Sequence, residues 1–77
     1  MSKYFEIYNN CNEIAKMIKA HACTKGHEIL SRSIDVFVGD EATNKYFVDF
    51  EAKNKAGKYY RVYGNYTTEE LKKMNII

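Results

Sequence analysis

Proline and tryptophan are absent from this chain, and glycine occurs only four times. Without proline there is no preset kink and no Pro-rich linker or recognition segment. The glycines, Gly26, Gly39, Gly57 and Gly64, are too scattered to form a flexible linker or a loop that cradles phosphate. Two cysteines are too few for a disulfide framework. The opening Met1-Ser2-Lys3-Tyr4-Phe5-Glu6 lacks a basic-then-apolar signal pattern, so both thiols are expected to be reduced and the protein cytoplasmic. No apolar run approaches the roughly 18 residues that cross a bilayer, so no membrane role is expected. At 77 residues the chain cannot hold a multidomain enzyme, a TIM barrel, a full dinucleotide-binding fold or a helical-repeat array.

What is present suits one small globular domain spanning residues 1–77. Hydrophobic residues make up 45% of the chain, enough for a core, and charged residues at 29% supply a soluble surface. The net charge of +2 is too small to argue nucleic-acid binding by itself. Its distribution is uneven. Residues 44–61 carry five basic and two acidic side chains, whereas residues 1–43 carry five and six, so the excess sits on one hairpin. Lys, Asn, Ile and Tyr, all with A/T-rich codons, supply 31 residues, which implies a low-GC genome such as a low-GC bacterium or its phages.

Periodicity predicts the order α-β-β-β-α. Tyr4, Ile7, Tyr8, Cys11, Ile14, Ala15, Ile18 and Ala22 form a helical stripe, and Gly26 is placed to stop that helix. We expect one helix from about Lys3 to Thr24. The alternative is a short N-terminal strand over Lys3–Tyr8, with Asn10 capping a shorter helix and Glu13 completing a capping-box spacing. Three strand-like runs follow: His27 to Val38, Lys45 to Lys53 and Lys58 to Tyr66. Gly39–Asn44 and Asn54–Gly57 read as the turns of an antiparallel meander. Thr67, three residues before Glu70, opens a short final helix in which Leu71 and Met74 can face the sheet. The expected fold is α+β, a three-stranded antiparallel sheet with the long N-terminal and short C-terminal helices on one face.

Alternation splits each strand. Ile34, Val36, Val38, Tyr46, Val48, Phe50, Ala52, Tyr60 and Val62 form one nearly pure apolar set, assigned to the core. The opposite set is Asp35, Phe37, Lys45, Phe47, Asp49, Glu51, Lys53, Tyr59, Arg61 and Tyr63. Rings beside cations can stack bases and meet phosphates, as open sheets do with single strands. The same mixture is enriched at protein-binding surfaces. It also arises where cross-strand pairs merely stabilise a sheet. Asp35, Asp49 and Glu51 would repel phosphate, so a protein partner ranks above nucleic acid. The expected contact cluster is Phe47, Tyr59, Arg61 and Tyr63, with Phe37, Lys45 and Lys53 around it.

One pattern suggests catalysis. Asp35 followed by Glu51-Ala52-Lys53 resembles the PD-(D/E)xK nucleases over about Gly26 to Lys53. That resemblance implies Mg²⁺ held by Asp35 and Glu51, with Lys53 supporting the attacking water; carboxylates suit a hard cation. In that family a helix usually follows the Glu-x-Lys strand, whereas here Gly57 leads into another strand. The element order resembles that of double-stranded-RNA-binding domains, but Thr67-Thr68-Glu69-Glu70 stands where they carry lysines. Lys45 to Lys73 is loosely similar to the arm-binding domains of tyrosine integrases. Cys11, His21, Cys23 and His27 match no zinc spacing, and neither a nucleophile signature nor a cofactor motif is present. The expectation is a non-enzymatic binding protein of the phage or mobile-element type, an inhibitor or adaptor such as an anti-defence protein. Nucleic-acid binding and a minimal Mg²⁺-dependent nuclease are the alternatives.

Overall fold

The computed structural model describes the backbone of residues 3–77 and the side chains from Asn10 onward. Helix α1 runs over Lys3–Thr24. The backbone is helical from Lys3, so the alternative N-terminal strand does not form, and Asn10 lies inside the helix rather than at its cap. Its amide donates to the Tyr46 hydroxyl at 3.3 Å. The stripe buries Cys11, Ile14, Ile18 and Ala22, while the Tyr4, Ile7 and Tyr8 side chains and Ser2 lie outside the described residues.

The helix stops as its sequence requires. Gly26, at φ 74°, takes the left-handed conformation that a Cβ would disfavour. His27 N–H then donates to Ala22 O at 2.8 Å and Gly26 N–H to Cys23 O at 3.1 Å, the paired bonds of a Schellman motif.

The sheet has three lateral positions and four strand segments. Strand β3 (Lys45–Lys53) is central, and β4 (Tyr59–Tyr66) lies antiparallel on one side. On the other side β1 (Glu28–Ile29) and β2 (Asp35–Asp40) follow one another along β3, both antiparallel to it. The run expected over His27–Val38 is therefore interrupted at residues 30–34.

The first turn is shorter than the sequence suggests. Strand β2 continues through Gly39 and Asp40, and the register shifts between Val38 and Asp40, so Gly39 is the extra residue of a bulge. Asp40 then closes the turn by accepting from Ala42 N–H at 3.0 Å and the Thr43 hydroxyl at 2.9 Å. Those bonds hold its carboxyl below the ordinary carboxylate range, the Thr43 bond most of all. In the second turn Gly57 sits at φ 87°, and the Asn54 side chain accepts from Lys58 N–H at 2.9 Å.

Helix α2 (Thr68–Lys73) opens on a complete capping box. Thr67 Oγ1 accepts from Glu70 N–H at 3.1 Å, and Glu70 Oε1 accepts from Thr67 N–H at 3.0 Å. It ends on a second Schellman motif with Asn75 at φ 62°, in which Ile76 N–H donates to Leu71 O at 2.9 Å. The expectation for Met74 is corrected here. Met74 is the C-cap and is 42% exposed, whereas Ile76, just past the motif, is buried with Leu71.

The core lies between the sheet and the helices. Ile14 and Ile18 of α1 join Leu71 and Ile76 over Val36, Tyr46, Val48, Phe50, Ala52 and Val62. Ile34, Val38 and Tyr60 pack at its margin. The alternating set assigned to the core is the one the helices cover, and the other face of the sheet stays open.

Candidate binding face

Register sets the open face. Phe37 lies opposite Phe47, and Phe47 opposite Asn65. The next row is Asp35, Asp49 and Tyr63, followed by Glu51 with Arg61, and last Glu28, Lys53 and Tyr59. All seven residues expected to make contacts, Phe37, Lys45, Phe47, Lys53, Tyr59, Arg61 and Tyr63, are on this face. From the Phe47 row to the Lys53 row the strand rises by about 20 Å.

The rings and cations form a stripe with defined contacts. Phe47 and Tyr63 meet edge to face, with centroids 5.1 Å apart and planes at 86°. The Arg61 guanidinium carbon lies 4.8 Å from the Tyr63 ring centroid, and Lys53 Nζ lies 6.0 Å from that of Tyr59. Phe37, Tyr59 and Tyr63 are 58%, 69% and 60% exposed, far more than packing within one sheet requires. Phe47 is only partly exposed and packs against Tyr63. Gly39 leaves room for the Asn65 side chain, which would collide with a Cβ at that position.

Two cations of the face are paired with carboxylates. Arg61 donates from Nε to Asp49 Oδ1 at 3.1 Å and from Nη2 to Asp49 Oδ2 at 3.3 Å, and this fork holds the guanidinium pKa above its ordinary value. Lys53 pairs with Glu28 at 3.5 Å. Lys45 lies opposite Asp40 in the ladder. The sequence places Lys53 and Arg61 on this face but gives no sign of these pairings, since Glu28 is 25 positions from Lys53 and reaches it only through β1.

The three residues of the nuclease pattern also share this face. Asp35 lies opposite Asp49, two residues along β3 from Glu51, and accepts from the Ser33 hydroxyl at 2.7 Å. Lys53 is turned to Glu28. Among the described residues no group of three His, Cys, Asp or Glu side chains is placed to hold a metal ion. The strand after Lys53 is β4, not a helix.

The cysteines and histidines are dispersed. Cys11 is in the core, where burial pushes its thiol pKa up, and Cys23 is exposed; both are free. His21 Nε2 lies 2.9 Å from Asn75 Oδ1, and His27 Nδ1 lies 2.7 Å from the Tyr60 hydroxyl. Both contacts are structural, and the one at His21 ties the chain's last turn to the end of α1. Among the described residues no helix is long and apolar enough to cross a membrane. Compared with protein families, curated proteins and solved structures, the chain matches none.

Proposed function

We propose that the protein is a non-enzymatic binding protein that docks on a protein partner through the open face of its sheet. The observation that carries this reading is the pairing of exposed rings with already neutralised charge. Phe37, Tyr59 and Tyr63 offer large apolar area at low entropic cost. Arg61 and Lys53, the cations a polyanion would need, already face Asp49 and Glu28. A phosphate backbone would have to displace those carboxylates, whereas a protein surface can bury the rings and leave the pairs intact. Phe47, Tyr59, Arg61 and Tyr63 would form the contact cluster, with Phe37, Lys45 and Lys53 around it. An inhibitor or adaptor from a phage or mobile element, acting by blocking a host protein, fits this size and composition by analogy only.

Pull-down from a low-GC bacterial lysate, with and without nuclease treatment, tests the reading. A partner should be captured in both lysates and lost when Tyr59→Ala is combined with Tyr63→Ala, with the circular dichroism spectrum unchanged. Capture that disappears on nuclease treatment would favour a nucleic-acid target, and capture unchanged by the double substitution would remove this face from the interaction. Cleavage of DNA or RNA that needs Mg²⁺ and vanishes in Glu51→Ala would turn the reading to a nuclease.

A further inference from the structure

The gap between β1 and β2 is a built feature. Leu30 and Ser31 N–H both donate to Glu51 O, at 2.8 and 3.3 Å. The Ser31 hydroxyl accepts from Glu51 N–H at 3.2 Å and donates to Ser33 O at 2.9 Å. The Ser31 hydroxyl thus replaces the one missing acceptor while backbone N–H groups satisfy the Glu51 carbonyl, and residues 30–34 depart from β3 without leaving Glu51 unsatisfied.

That departure opens a cavity of about 350 Å³ between the segment and α1, within the usual size range of small-ligand sites. Ala15, Ile29 and Ile34 give it an apolar floor, and Lys16, Lys19 and Arg32 line it with positive charge. Among the described residues no carboxylate lines it. The contrast with the open face is sharp. Among the described residues Lys19 and Arg32 form no ion pair, and Lys16 meets Glu13 only at 3.8 Å, with both side chains exposed. Asp35, which accepts from the hydroxyl of the lining residue Ser33, belongs to the open face.

We propose that this cavity binds a small phosphorylated ligand of nucleotide size. Its phosphate would be held by Lys16, Lys19 and Arg32, and its apolar or aromatic body would lie on Ala15, Ile29 and Ile34. Arg32 supplies the planar fork that matches two phosphate oxygens, and the two lysines, three residues apart on one side of α1, supply point charges. The floor accounts for an organic phosphate rather than a bare ion, because an inorganic anion gains nothing from burying apolar surface. This site is independent of the proposed docking face and lies on the helix side of the sheet.

Titration of the full-length ¹⁵N-labelled protein with ADP and with inorganic phosphate, followed by amide shifts, tests the proposal. The expected result is saturable shifts confined to Ala15–Lys19 and Ile29–Ile34, with ADP bound more tightly than phosphate. Arg32→Ala and Lys19→Ala should each weaken ADP by about tenfold or more, as loss of a charged hydrogen bond implies. Both side chains are exposed, so the thermal midpoint should not change. The double substitution of Tyr59 and Tyr63 should leave ADP binding intact. Absence of saturable shifts at millimolar ADP would overturn the proposal. So would undiminished binding in both variants, or phosphate binding as tightly as ADP.

Discussion

Arg61 and Asp49 are locked side by side across the β3–β4 ladder, diagonal to one another, by two hydrogen bonds of 3.1 and 3.3 Å. Tyr63, directly opposite Asp49, lies under the same guanidinium. The carboxylate therefore positions the arginine, and the arginine in turn positions the ring. Arg61 is about half exposed and Asp49 about a quarter, so the pair stays in contact with solvent and its effect on folding should be modest and weakened by salt. Denaturant midpoints for Arg61→Ala, Asp49→Ala and the double variant should show a favourable coupling that shrinks as salt rises. Strictly additive effects would mean the two hydrogen bonds contribute nothing to the fold. Arg61→Lys should not restore the coupling, because an ammonium lacks the fork.

Leu71 on α2 and Met74 at its C-cap stand three residues apart yet should respond very differently to truncation. Leu71 is fully buried beside Ile76, and Leu71→Ala should cost about 2–5 kcal/mol, a large share of the stability of a domain this small. Met74→Ala should be close to neutral. Urea denaturation measures both, and equal costs would contradict the placement of Ile76 rather than Met74 in the core.

His27 should make stability depend on pH. Its Nδ1 shares a 2.7 Å hydrogen bond with the Tyr60 hydroxyl, and its ring meets Tyr60 edge to face at 5.5 Å. Burial, then the positive charges of Lys25 and His21, hold its pKa below the ordinary histidine value. A depressed folded-state pKa means the unfolded chain takes up the proton first. The stability from neutral His27 is thus present above the ordinary imidazole value and lost as pH falls through it towards the lower folded value. His27→Gln should flatten the decline in denaturant midpoint between about pH 7.5 and about pH 5.5. An identical decline in the variant would assign that dependence to other groups.

Much of the fold was legible because its signals are local. The helix from Lys3 to Thr24 follows from an unbroken apolar stripe ended by Gly26, and the capping box follows from Thr67 and Glu70. Strand β3 runs over Lys45–Lys53 as its alternation indicates. The break at residues 30–34 was not legible, because it depends on Glu51, some 20 positions away, accepting and donating across the gap. The open face was likewise legible in membership but not in pairing. Parity alone puts Phe47, Arg61 and Tyr63 on one side, whereas only register puts Arg61 against Asp49 and Lys53 against Glu28.

The sequence by itself determined which residues of the three expected strands, and of the helix from Cys11 to Ala22, face the core, because alternation and helical spacing are properties of neighbouring positions. Tertiary structure decided the rest. It paired Arg61 and Lys53 of the sheet face with carboxylates, left Lys19 and Arg32 beside the cavity without an ion pair among the described residues and put Ile76 where Met74 was expected. Each of these depends on residues distant along the chain meeting in space, and hydrogen-bond register sets those meetings where local pattern does not.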